Sequence, residues 1–105
     1  MKPIVVLCTA GSEDEAHRLA DALVEENLAA CVNVVPGVMS FYRWKGVINR
    51  DQEWLLIIKS TGEAYQALEK KIKTIHSYTV PEIIALPIIS GSEDYLKWVG
   101  ENVKP

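Results

Sequence analysis

The sequence predicts an α+β fold with the element order β-α-β-β-α-β and a short helix at its end. Three observations lead there. Apolar residues recur at helical spacing in two long windows and one short one. Between those windows lie β-branched or unbroken apolar runs of strand length. Prolines fall inside only two of the four strand-like runs, and a proline cannot donate to a β-ladder, so those two strands belong at the sheet edges.

Each element has its own justification. Residues 3 to 9, P-I-V-V-L-C-T, form a β-branched run that Gly11 breaks. Ser12-Glu13-Asp14-Glu15 reads as a capping box, and Ala16, Leu19, Ala20, Leu23 and Val24 continue it as an amphipathic helix over 13 to 27. Residues 31 to 44 are strand-like, interrupted by Pro36-Gly37, which implies an edge strand with a bulge or bend. Lys45-Gly46 is the tip of a hairpin, and its return arm runs from 47 to 60. Gly62 closes that strand. A second helix spans 63 to 75, with Ala64, Leu68, Ile72, Ile75 and the stem of Lys71 on one stripe. The last strand covers about 81 to 89, with Pro81 and Pro87, and Ser92 caps a helix carrying Tyr95, Leu96, Trp98 and Val99. This is the split β-α-β, ferredoxin-like pattern, whose strand order is 4-1-3-2. The chain of 105 residues makes one domain, 1–105.

In this architecture both helices cover one face of the sheet, and the other face should alternate apolar with polar if it meets water. The third strand does not alternate: Trp54, Leu55, Leu56, Ile57 and Ile58 are all apolar, and the fourth reads I-I-A-L-P-I-I. The second face therefore needs a cover, either a further copy of the chain or a thick core under the terminal helix, and self-association is the expectation. The hairpin arms, about 14 residues each, are long enough to project past their own sheet.

Composition excludes several functions. A net charge of -3 and a pI near 5.3 argue against a nucleic-acid surface. The N-terminal apolar run is too short for a membrane span or signal segment, so a cytoplasmic location is the expectation. The two cysteines, Cys8 and Cys31, do not form C-x-x-C and suit a reducing compartment. L-C-T-A-G replaces the M-x-C-x-x-C of a metallochaperone, W-L-L-I-I-K replaces an RNA-binding aromatic motif, and T-A-G-S-E-D-E is too acidic to cradle phosphate. No nucleophile, Walker or metalloprotease motif occurs, so no enzyme is expected.

The soft or borderline metal ligands are Cys8, Cys31, His17, His76 and the two methionines. His17 falls on a solvated helix face. Cys31 reads either as a small buried hydrophobe or as a ligand, and His76 either as a helix C-cap or as a ligand. The topology holds Cys31 and His76 apart within one subunit, so they could share a site only across an interface. Cys8 is the nearer partner for the His76 region. Glu53, Lys59 and Glu82 border apolar runs, either as gatekeepers against aggregation or as the lining of a cleft. Tyr42 and Trp44 share one side of the second strand.

Taken together, A-A-C-V-N (29–33), F-Y-R-W-K-G-V-I (41–48), Glu53 with the apolar run to Lys59-Ser60, H-S-Y-T-V-P-E-I-I (76–84) and Y-L-K-W (95–98) resemble the CutA divalent-cation tolerance family over nearly the whole chain. That family usually carries H-P-Y where this chain has His76-Ser77-Tyr78, which loosens the strand entry. The resemblance implies a ferredoxin-like homotrimer, a link to divalent cations, copper above all, and no organic cofactor. It implies Cys31 and His76 as metal candidates, and Asn33, Tyr42, Trp44, Glu53, Lys59, Tyr78 and Glu82 around a cleft between subunits. The alternative it implies is a PII-like signalling trimer that binds a small effector or a partner protein in those clefts. Neither reading involves nucleic acid or membrane.

Overall fold

β1 (Pro3–Ala10), α1 (Glu13–Glu25), β2 (Cys31–Trp44), β3 (Val47–Thr61), α2 (Tyr65–Ile75), β4 (Ile83–Pro87) and α3 (Glu93–Glu101) follow one another along the chain, with a single 3-10 turn, Gly62–Ala64, leading into α2. The computed structural model describes residues 1–104. The strands form one antiparallel sheet in the order β2-β3-β1-β4, so the proline-bearing strands are the two edges, as expected. No helix of the described residues is long and apolar enough to cross a membrane.

Local signals explain the element ends. Ser12 Oγ accepts the Glu15 N–H at 3.2 Å and opens α1, an N-cap worth about 1 kcal/mol. Asn27 adopts a left-handed φ of 58°, and this turns the chain two residues past the end of α1. α2 starts later than its apolar stripe because the 3-10 turn, capped by Thr61, takes its first residues. β4 begins at Ile83 and not at Pro81. Its last rung joins Cys8 to Ile83, and the next carbonyl along β1, that of Thr9, is taken by the His76 ring.

One face of the sheet carries the core. Ile4, Val6 and Cys8 of β1 and Leu56 and Ile58 of β3 pack under Leu19, Leu23, Leu68 and Ile72 of the two helices. Lys71, beside that stripe, extends to Glu26 at 2.7 Å. Val99 of α3 and Val103 just beyond it are buried against Ala64 at one end of the sheet. The alternate residues point the other way: Val5, Leu7, Leu55 and Ile57 are half-buried, while Ile84 and Leu86 of β4 are 49% and 47% exposed. This second face is apolar and largely uncovered.

The hairpin reaches well beyond the sheet. β1 pairs with β3 only from Trp54 to Thr61, so Val47 to Glu53 pair with β2 alone. The molecule is accordingly elongated, 44 × 26 × 21 Å. Lys45 and Gly46, both at positive φ, make the tip. At the root, Val35 pairs with Leu55 and Val38 with Glu53, so Pro36 and Gly37 together face Trp54. This is the expected bulge, with Gly37 at φ +77°. An extra residue reverses the phase of the side chains beyond it. Before the bulge Cys31, Asn33 and Val35 share the open face with Lys59, Ile57 and Leu55; after it Val38, Ser40, Tyr42 and Trp44 do.

Candidate functional site

The bulge decides what meets at the root of the hairpin. Tyr42 and Trp44 are phased onto the side of Glu53, and the loop from Ser77 to Glu82 closes against them. The result is a cleft of about 690 Å³ that extends from Glu53 at the root along the hairpin toward Trp44, lined by Phe41, Tyr42, Trp44 and Tyr78 and carrying the carboxylates of Glu53 and Glu82. Its lining contains no cationic side chain among the described residues.

Two phenols are spent inside this site. Tyr78 donates its O–H to Glu53 Oε2 at 2.8 Å, and Glu53 is only 5% exposed. Burial first, and then the Glu53 carboxylate, push the Tyr78 phenol well above its ordinary range. Tyr42 donates to Asp51 Oδ2 across the hairpin, and that hydrogen bond raises its phenol too. Gly11 makes room for Tyr78: a Cβ at that position would lie 2.8 Å from the Tyr78 hydroxyl.

Beneath the cleft, His76 caps α2 and is buried. Its Nε2 lies 2.7 Å from the Thr9 carbonyl, so this nitrogen carries the hydrogen and donates it. Nδ1 then accepts the Tyr78 N–H at 3.1 Å. Glu15 Oε1 approaches Nδ1 to 3.9 Å, while Oε2 accepts the Ser77 N–H at 2.8 Å. Burial opposes the charge on Glu15, but the Ser77 side chain and N–H outweigh it and hold the carboxyl below its usual range. The serine therefore ties the loop down; a proline in its place could not donate this bond. Cys8 lies alongside, its Sγ 3.8 Å from the same Thr9 carbonyl. Burial first, then Glu82, Glu15 and Glu53, push its thiol up to about 12.

Asn33, Lys59 and Cys31 lie elsewhere. Lys59 Nζ donates to Asn33 Oδ1, and the Cys31 Sγ is 3.9 Å from the same oxygen. Cys31 is half-buried and adjoins Tyr95 of α3, whose phenol is raised by burial and then by the thiol. Cys31 pairs with Lys59, which pairs with Val5, whereas His76 is bonded at Thr9. Four residues of strand, about 13 Å, and two strand spacings of about 5 Å each separate the two positions. The structure thus brings Tyr42, Trp44, Glu53, Tyr78 and Glu82 together, and leaves Asn33, Lys59 and Cys31 at the other end of the sheet.

A copper ion does not fit Cys31 and His76 of one chain. They are far apart, and both imidazole nitrogens already have partners. Among the described residues no three His, Cys, Asp or Glu side chains converge as a metal site. Four contributors escaped the sequence reading: Thr9, Gly11, Glu15 and Asp51. Gly11 reads as a strand break and Glu15 as a capping residue, and only Glu15, three residues after Ser12, carries a signal that could single it out.

Strand order, projecting hairpin and root cleft define a small α+β protein of the split β-α-β class. The family model of the CutA1 divalent ion tolerance protein matches residues 4–102, and the chain belongs to this family of divalent-cation tolerance proteins. It is 55% identical over 98 residues to the divalent-cation tolerance protein CutA of Thermus thermophilus, covering 93% of this chain and 95% of that one. A solved structure of the divalent cation tolerance protein from Thermus thermophilus superposes with a TM-score of 0.95 at 53% identity, over 97% of this chain and 99% of the other. Protein CutA, chloroplastic, from Arabidopsis thaliana is 44% identical over 101 residues, which span 96% of this chain and 56% of the plant protein. None of these names is that of an enzyme.

Proposed function

We propose that the protein serves divalent-cation tolerance as a homotrimer in the cytoplasm, binding a small ligand in the cleft at the root of its hairpin in the manner of a PII-like signalling protein. The observation that carries this reading is the cleft. Aromatic walls and a few convergent polar groups in a space of about 690 Å³ are the ordinary make-up of a small-molecule site. The uncovered apolar face supports assembly. Two free thiols suit a reducing compartment.

The test is a thermal-shift screen of nucleotides, small anions, amines and divalent ions, on the wild-type protein and on Trp44→Ala. A ligand that raises the midpoint of the wild type and not of the variant is expected. A screen with no hit, or with hits indifferent to Trp44, would remove the cleft from the mechanism.

Direct copper binding is a second reading, favoured by one observation: Cys31 is the more accessible of the two free thiols. Copper would then be cargo held between copies. A calorimetric copper titration against a competing chelator should lose its stoichiometric phase in Cys31→Ala and keep it in His76→Ala.

A further inference from the structure

We infer that the cleft selects an organic cation, an ammonium group borne on a small apolar body, and rejects anions; this rests on the reading of the cleft as a ligand site. Charge comes first. Glu53 and Glu82 both line the space, and no Lys, Arg or His among the described residues lines it to offset them. The carboxylate of Asp51 stands behind Tyr42 and adds to the same sign. The donors an anion would need from the phenols are already given away, Tyr78 to Glu53 and Tyr42 to Asp51.

The walls come second. Tyr42, Trp44 and Tyr78 line the same space as the acidic pair, and aromatic faces attract ammonium groups through the ring quadrupole. On the other face of the hairpin the Phe41 ring already holds a cation within the chain: the Arg50 guanidinium carbon lies 5.8 Å from its centroid, outside the cleft lining.

A bare divalent metal is the weaker occupant. Calcium takes six or more oxygens, and magnesium a near-ideal octahedron. Here one oxygen of Glu53 is engaged by Tyr78, and no group of three metal-binding side chains converges among the described residues. Aromatic carbon, moreover, offers such an ion no ligand. An organic ammonium needs only the carboxylates for its charge and the rings for its body.

The experiment uses three probes of one shape and different charge: benzylammonium, benzyl alcohol and benzoate. Each is titrated into the assembled protein while the indole N–H of Trp44 is followed by NMR, its signal assigned with Trp44→Phe. Benzylammonium is expected to shift Trp44 with an affinity at least about tenfold above that of benzyl alcohol, and benzoate to leave it in place. Glu82→Gln, at an exposed position where folding is not at risk, should lower benzylammonium affinity about threefold or more without changing that of the alcohol; Glu53→Gln should lower it further. Equal binding of the alcohol, or preference for benzoate, overturns the cation inference and leaves the cleft standing as a ligand site. A Trp44 signal that none of the three moves overturns the cleft itself.

Discussion

Gly11, Glu53 and Tyr78 act as one contact. The Tyr78 hydroxyl fits against Gly11 because that residue has no Cβ, and from there it reaches a carboxylate that is almost wholly buried. Tyr78→Phe removes the donor and leaves Glu53 short of a partner, at a cost of about 1–3 kcal/mol. Gly11→Ala drives the hydroxyl away and should cost a similar amount. Urea unfolding of the two variants and their double should therefore give a double-variant loss smaller than the sum. Ser77 offers a second test. Its N–H and side chain depress Glu15. A group with a lowered native pKa stabilises fully above its unfolded value, about 4.3, and loses that contribution as the pH falls through the folded value. His76, at φ -65° and ψ 138°, already has the conformation that a following proline demands. Ser77→Pro should therefore fold, and urea midpoints between about pH 3 and 6 should fall less steeply with acid than in the wild type.

At the scale of elements, the bulge controls the site. Gly37→Ala places a side chain at φ +77° and should cost about 1–2 kcal/mol. Deleting Gly37 should do more: Tyr42 and Trp44 would change sides, and any ligand response of Trp44 should vanish while the hairpin's CD signature remains. The bulge and tip were legible beforehand because Pro36-Gly37 and Lys45-Gly46 are local signals, needing no knowledge of the rest of the chain. The start of β4 was not legible. It depends on a histidine ring taking the Thr9 carbonyl from a strand far away in sequence. The site was half legible for the same reason. Tyr42, Trp44, Glu53, Tyr78 and Glu82 stand out by type and place. That both nitrogens of His76 are occupied, and that Asn33 and Lys59 pair with each other away from the cleft, are facts of three-dimensional contact. Residue type selects candidates for a metal; it does not reveal which lone pairs are free.

For the whole molecule the open face is the decisive feature. An apolar strand pair with side chains such as Ile84 and Leu86 half exposed invites a partner of matching shape, and further copies of this chain fill that role in the proposed trimer. Light scattering behind size exclusion should report three times 11.7 kDa, about 35 kDa. Leu86→Glu, which sets a charge in the middle of that face, should shift the protein to a single-chain species. A wild-type mass of one chain would end the trimer proposal.

The strand order also constrains how the chain can be made. β1 lies inside the sheet, yet its partners are β3 and β4, and Ile4 pairs with Pro87. Closing so long a loop is slow. The tie at the end of α1 is also late, because the Lys104 N–H bonds back to Asn27 at 2.8 Å. On a ribosome, the β2-β3 hairpin can close as soon as it emerges, while β1 keeps one unsatisfied edge until β4, far along the chain, has been made. Between the making of β1 and of β4 the nascent chain thus carries an apolar strand open to pairing, the state in which wrong partners are most easily found.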